Sequence, residues 1–274
     1  MTIQTALRQG TELLEKASIP VPRLTAEVLL AHAVACERSW LYAHPEHELR
    51  EVEWLHFGRY LHQRLEGMPT QYITRRQEFF GREFHVTPDV LIPRPETEHV
   101  IEEVLREPAH RILDAGTGSG AIAITLERET GAQVWASDIS QRALAVAWEN
   151  ARRLSARVQF VACDLASAFA PRSFDTVASN PPYVPLDDLP HLQREVRDFE
   201  PYVALIGGPT GFEIYERLVA QAERVLRPGG RLVMELGYNS GQRVSGMFGS
   251  RWEQPRLAAD LAGIPRVVTC RLQP

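Results

Sequence analysis

Apolar positions across residues 1–75 recur every three or four residues, the spacing of one face of an α-helix. Ala6, Leu7, Leu13, Leu14 and Ala17 predict a first amphipathic helix, which Ser18-Ile19-Pro20 breaks. Thr25 is placed to cap a second, AEVLLAHAVA, with Ala26, Leu29, Leu30 and Val34 on one face. A third, EVEWLHFGRYLHQRLEG, presents Leu55, Tyr60, Leu61 and Leu65 and stops at Gly67. The period then shortens to two. EFFGREFHV alternates about Gly81 as a short β-hairpin, and VLIPRPETE sets two prolines ahead of a helix starting near Glu96.

From Arg111 onward the pattern alternates. RILDA, QVWASD, VQFVACD, TVASN and RLVMELG are apolar runs of strand length, separated by the helical stretches AIAITLERE, QRALAVAWENARR and FEIYERLVAQAERVL. Such alternation predicts right-handed βαβ crossovers and a parallel sheet with helices on both faces. The closing WEQPRLAADLAGIPRVVTCRL holds two strands with little room for a helix between them, so an antiparallel final strand is expected. The domain organisation that follows is helical over 1–75, a β-hairpin linker over 76–95 and an α/β domain over 96–274.

Composition narrows the class. A chain of 274 residues with net charge −5 has no global attraction to nucleic acid or an anionic membrane. Cys36, Cys163 and Cys270 are odd in number and far apart, which suits three thiols in a reducing cytoplasm rather than a disulfide framework or zinc site. The start, MTIQTALRQGTELLEK, lacks the apolar core of a signal peptide, and no window approaches a membrane span of roughly 18 apolar residues. A cytoplasmic protein without a membrane partner is expected. His44 and His47 form the only close histidine pair, and a solvated loop accounts for them better than a metal does.

Candidate chemistry begins where the first strand of the α/β region runs into Asp114-Ala115-Gly116-Thr117-Gly118-Ser119-Gly120-Ala121. Glycines at a strand-to-helix turn let backbone approach a ligand, and the helix N-terminus offers free N–H groups. Read loosely, the turn also satisfies the dinucleotide fingerprint G-x-G-x-x-A. Asp114 precedes the glycines, where it can compensate a cationic amino-acid group rather than meet a pyrophosphate. Asp138 ends the second strand, where an acceptor for ribose hydroxyls belongs, and Asp164 ends the third, suited to an adenine amino group. The alternative for each acid is a helix cap, although Ser140 offers a competing cap after Asp138. The set resembles class I S-adenosylmethionine-dependent methyltransferases, whose Rossmann-like fold also suits an antiparallel last strand.

Beyond the fourth strand lies Ser179-Asn180-Pro181-Pro182-Tyr183-Val184-Pro185. An amide or exocyclic amino nitrogen has its lone pair delocalised into the neighbouring π system. Methylating it calls for acceptors on both N–H groups, so that the lone pair points at the methyl. The Asn180 side-chain carbonyl can be one acceptor. The Pro181 backbone carbonyl can be the other, its direction fixed because Pro182 holds the preceding residue extended. Tyr183 can lay its ring against the planar group that carries the nitrogen.

Two substrates present such a nitrogen: adenine N6 in DNA and a glutamine side-chain amide. The chain resembles the HemK/PrmC family of release factor protein-(glutamine-N5) methyltransferases over essentially its whole length. The resemblance rests on PRLTAEVLLAH, GMPTQYI, EFFGREFHV, VLIPRPETE, DAGTGSGAIAI, SNPPYVP and FEPYVALIGGPTGFEIY. It implies S-adenosylmethionine as cofactor and, as substrate, the glutamine of the Gly-Gly-Gln loop of bacterial class I peptide chain release factors. Cofactor contacts carry over to Gly116, Thr117, Gly118, Ser119, Gly120, Asp138, Asp164, Leu165 and Asn180. Substrate contacts carry over to Asn180, Pro181, Pro182 and Tyr183, with Asn180, Pro181 and Tyr183 as the catalytic group and no metal. Where relatives often have an aromatic residue this chain has Leu165, so any adenine contact there is aliphatic. Arg94 and Glu96 either orient a loop at the cofactor or pair with each other. Because the turn reads only a small amide, the helical domain is expected to dock the factor. A DNA adenine methyltransferase would need a basic target-reading face, and a dehydrogenase would leave Asn-Pro-Pro-Tyr without a task.

Overall fold

The computed structural model describes residues 1–274 and divides into two compact units, Met1–Arg76 with Gln193–Phe199, and Gln77–Leu192 with Glu200–Pro274. In chain order the elements open with α1 (Ile3–Lys16), α2 (Pro22–Val34), α3 (Arg38–Ala43), α4 (Glu51–Leu65) and α5 (Thr70–Thr74). A hairpin of β1 (Arg76–Phe79) and β2 (Arg82–His85) follows, then α6 (Glu98–Leu105), β3 (Arg111–Ala115), α7 (Ala121–Thr130), β4 (Gln133–Asp138) and α8 (Gln141–Arg153). Next come β5 (Val158–Ala162), β6 (Phe174–Ser179), β7 (Val184–Pro185), α9 (Arg194–Phe199) and α10 (Tyr202–Leu205). The chain ends with β8 (Ile206–Gly208), α11 (Glu213–Val225), β9 (Leu226–Glu235), α12 (Gly241–Ser245), β10 (Arg256–Ala259) and β11 (Pro265–Arg271). No helix is long and apolar enough to cross a membrane.

The helical unit closes around Ile3, Leu7, Leu14, Leu29, Leu30 and Phe57. Two details differ from the sequence pattern. Thr25 lies inside α2 rather than capping it, because the helix already starts at Pro22, a residue whose fixed φ suits a first helical turn. Leu55 is 68% exposed, and the buried face of α4 is instead Glu53, Phe57, Leu61 and Arg64. Spacing alone admits either face of that helix, and the larger ring of Phe57 takes the inside.

In the second unit the hairpin turns at Phe80 and Gly81, both with positive φ (49° and 68°), as a tight two-residue connection requires. The central sheet has seven strands in the order β10-β11-β9-β6-β3-β4-β5. Strands β5, β4, β3, β6 and β9 are mutually parallel, and β11 runs antiparallel to both neighbours, as the closing sequence predicts. Alternation along the strands builds a core on each face. Leu113, Val177, Leu232 and Met234 point to the side covered by Tyr215, Leu218 and Ala222 of α11. Ile112, Ala178 and Val233 point to the side covered by α6 and α7. A two-stranded parallel ribbon, β7 with β8, stands apart and pairs Val184 with Ile206. Strands this short give no periodic signal.

Candidate active site

The chain leaves β3 for β4 on one side, and after β5 it returns to lay β6 on the other. Open α/β sheets bind ligands in the crevice this reversal leaves beyond the carboxyl ends of the strands. A cavity of about 310 Å³ lies there, walled by Gly116–Ser119, Asp138, Ile139 and Ser140, Asp164 and Leu165, and Asn180 and Pro182. Val90, Leu91, Pro93 and Thr97 close one side, and Pro201–Ala204 another.

Gly116 and Gly118 have φ of +78° and +55°, and a Cβ on either would meet no atom within 4 Å. Their bareness therefore serves the backbone turn and the open cavity wall rather than internal packing. Gly120, with Ile124 Cδ1 at 2.8 Å from a would-be Cβ, serves close packing of α7 and is not part of the wall.

Asp138 holds the turn from the next strand. Its Oδ2 accepts the Gly118 N–H at 2.9 Å and its Oδ1 the Ser140 N–H at 2.8 Å, leaving each oxygen a further lone pair. Ser140 caps α8, its hydroxyl accepting from the Ala143 N–H, so Asp138 is not committed as the cap. Burial raises the Asp138 carboxyl above its ordinary range despite these donors.

Asp114 departs from expectation. Its carboxyl is fully buried and does not reach the cavity. Oδ2 accepts the Thr117 hydroxyl at 2.6 Å and the Ala123 N–H at 3.1 Å, which staples the glycine turn to the first turn of α7, while Oδ1 has no partner. Burial pushes this carboxyl up to about 7, and nearby Asp138 adds to the effect. Asp164 is at the wall but pairs with Arg217 of α11, so a ligand there would share it. Leu165 sits in a left-handed conformation, φ 51°, with its side chain in the core and its carbonyl accepting from the Ser137 hydroxyl at 2.7 Å. Arg94 pairs with buried Glu200 rather than with Glu96, and Glu200 also accepts the Ile92 N–H, which braces the Pro93 wall.

The proline turn is held from behind. Asn180 Nδ2 donates to Thr97 Oγ1 at 3.0 Å, which leaves Oδ1 uncommitted. The Thr97 hydroxyl donates to Glu235 Oε2 at 2.5 Å, and the Tyr183 hydroxyl to Oε1 at 3.4 Å. Glu235 is 3% exposed, and burial pushes it up to about 7. Pro181 is buried, and neither it nor Tyr183 stands in the cavity wall, whereas Pro182 does. A Cβ on Gly237 would come within 2.9 Å of the Tyr183 ring, and one on Gly207 within 2.7 Å of the Pro182 carbonyl. Thr97, Gly207 and Gly237 carry no local signature of these roles. Glu235 does: it ends an apolar strand as Asp138 does, so the strand-end rule extended to β9 would have found it.

An open sheet of this order, with antiparallel β11 and a glycine turn facing strand-end acids, is the class I S-adenosylmethionine-dependent methyltransferase fold. A solved methyltransferase from Pyrococcus furiosus superposes with a TM-score of 0.55 at 18% identity, covering 71% of this chain and 90% of that one. A T. thermophilus 16S rRNA N2 G1207 methyltransferase, solved in complex with AdoMet and guanosine, gives 0.52 at 18% identity, with 72% and 50% covered. The PrmC N-terminal domain family matches residues 5–74, and the Methyltransferase small domain family matches residues 96–189. The release factor glutamine methyltransferase of Koribacter versatilis is 46% identical over 99% of this chain and 99% of its own. That of Nitratidesulfovibrio vulgaris is 43% identical over 100% and 97%. The chain belongs to the release factor glutamine methyltransferase family.

Proposed function

We propose that this chain transfers the methyl group of S-adenosylmethionine to the side-chain amide nitrogen, N5, of the glutamine in the Gly-Gly-Gln loop of bacterial class I peptide chain release factors. The observation that carries this reading is the Asn180 amide at the cavity wall, with its donor end turned to Thr97 by one N–H and its acceptor end left over. When bound, the cofactor supplies a methyl on positively charged sulfur. The chain's own groups fit it: the bare turn Gly116–Gly118 leaves room for the amino-acid portion, and Asp138 has lone pairs for the ribose hydroxyls. Ile139 offers an aliphatic face to an adenine, with Asp164 at its edge; Leu165 borders the same wall although its side chain packs into the core.

Asn180 Oδ1 would accept one N–H of the substrate amide and the Pro181 carbonyl, on the backbone between wall-lining Asn180 and Pro182 although its ring is buried, the other, drawing the lone pair out of conjugation as positive charge grows on nitrogen. Tyr183, held by Glu235 and packed on Gly237 behind the wall, would fix the turn that presents these acceptors rather than touch the amide itself. We assign recognition of the factor's remaining surface to the helical unit, since a primary amide alone cannot identify a protein. The test is label transfer from methyl-labelled S-adenosylmethionine to a folded release factor, to a Gly-Gly-Gln peptide and to adenine-containing duplex DNA. Label should enter the factor, with lower kcat/KM for the peptide because remote binding energy is missing. Label in DNA and none in the factor would overturn the reading.

Asp138→Ala should weaken the cofactor more than the chemistry. A carboxylate on ribose hydroxyls acts alike in ground and transition states, so its loss raises KM by about 1.5–3 kcal/mol of binding, the worth of a charge-assisted hydrogen bond. Because the Asp138 carboxyl is raised by burial, affinity in the unaltered enzyme should also fall as pH drops through that raised value and the acceptor is protonated. Unchanged affinity in calorimetry would reduce Asp138 to a turn-holding role.

A further inference from the structure

An asparagine amide has an acceptor at one end and donors at the other, and a half-turn about its last bond exchanges them. Only one orientation of Asn180 offers Oδ1 to the cavity. Shape cannot choose, because oxygen and NH₂ are nearly the same size. The choice is made by counting protons. On the protein side Asn180 meets Thr97 Oγ1 at 3.0 Å, and a hydroxyl has one proton to give. That proton is claimed 2.5 Å away by Glu235 Oε2, on a side chain that is 3% exposed. An ionised carboxylate only accepts. Thr97 therefore has nothing but lone pairs left for Asn180, which must turn Nδ2 inward and Oδ1 outward.

We propose that Thr97 and Glu235 are positioning residues for methyl transfer, holding the Asn180 oxygen toward the substrate amide through a one-way chain of hydrogen bonds. This rests on the glutamine-amide reading above. The chain does more than orient. Negative charge at Glu235 polarises the Thr97 hydroxyl and then the Asn180 N–H, which pushes electron density onto Oδ1 as the substrate nitrogen becomes positive.

The arrangement has a titratable end. Facing Glu235 are Thr97 and the Tyr183 hydroxyl, Glu96 beside Thr97, Arg266 from β11 and Tyr215 from α11. Burial, with Glu96 adding to it, outweighs Arg266 and the two hydroxyl donors and pushes the carboxyl up to about 7. Once protonated, Glu235 can donate to Thr97, which is then free to donate to Asn180 Oδ1. The amide can flip and set its NH₂ against the NH₂ of the substrate, donor facing donor. The kcat should therefore fall as pH falls through about 7, and be level above it.

The experiment compares kcat from about pH 5 to pH 9 for the unaltered enzyme, Thr97→Val, Thr97→Ser and Glu235→Gln, at saturating S-adenosylmethionine and release factor. Cofactor affinity is measured by calorimetry on the same preparations. Thr97→Val should lower the alkaline plateau roughly five- to tenfold, the worth of one hydrogen bond, and remove the acid limb. Thr97→Ser should keep the limb and stay within about twofold of the unaltered plateau, and Glu235→Gln should lose the limb with cofactor affinity intact. A purely structural role would move stability but not the pH profile. The unaltered plateau and limb in Thr97→Val, or the limb persisting in Glu235→Gln, would overturn the relay and leave the methylation reading standing. No methylation by the unaltered enzyme at any pH would overturn both. If Thr97→Val does not fold, the isosteric Glu235→Gln decides alone.

Discussion

Asn180→Ala should lower kcat by on the order of 10²–10³ while the protein stays folded and cofactor affinity falls much less. Its Oδ1 is the acceptor left over once Nδ2 has turned to Thr97, and Asn180 lines the cavity together with the glycine turn and Pro182. A preorganised dipole aimed at developing charge is worth about 2.7–4 kcal/mol, and alanine removes the whole dipole. Aspartate at the same position is a more discriminating change. It keeps an acceptor but cannot donate to Thr97, and it sets a second carboxylate behind a hydroxyl already committed to Glu235. Partial activity at best is expected. Saturating-substrate kinetics and calorimetry on one preparation separate turnover from binding. An alanine variant within about threefold of the unaltered enzyme would remove Asn180 from the chemistry.

Gly207→Ala should be nearly as damaging, although residue 207 touches no ligand. A Cβ there would stand 2.7 Å from the Pro182 and Gly211 carbonyl oxygens and 2.9 Å from the Tyr183 Cα. All three are backbone atoms, so no side chain can swing away to make room. The ribbon that pairs Val184 with Ile206 ties residue 207 to the same turn, so the strain falls on Pro182 and Tyr183. Overpacking of this kind costs about 1–3 kcal/mol of stability, and a displacement of about 1 Å in positioning groups can cost on the order of 10² in rate. The glycine turn and Asp138 are not among the nearest neighbours of the would-be Cβ, so cofactor affinity should fall less than turnover. Single-turnover rates near those of the unaltered enzyme would mean that the position of the proline turn is not critical.

The local parts of this site were legible in the sequence. The glycine turn, Asp138, Asp164, Asn180 and Pro182, which the structure brings to one cavity, lie in short stretches whose backbone demands are written into their types, whereas Pro181 and Tyr183 of the same motif stand behind the wall. The closing antiparallel strands were legible for the same reason, since four residues of β10 and seven of β11 leave no room for a crossover helix. What could not be read depends on how distant segments meet. Thr97 and Glu235 are 138 residues apart, and neither has a motif that names the other. Leu55 and Phe57 fit α4 equally by spacing, and only packing against α1 and α2 selects Phe57. Asp114 looked like a ligand group because it precedes the glycines, but its side chain points under the turn rather than into the cavity.

Whether a cradle of acceptors activates one amide nitrogen is decided by fragment-resolved mass spectrometry of a release factor incubated with this enzyme and S-adenosylmethionine. A single methyl increment is expected on the side-chain nitrogen of the Gly-Gly-Gln glutamine, recovered as N5-methylglutamine on exhaustive enzymatic digestion, released as methylamine by acid hydrolysis, and absent with Asn180→Ala. A methyl on any other residue, or an unmodified loop glutamine after prolonged incubation of a folded factor, would contradict it.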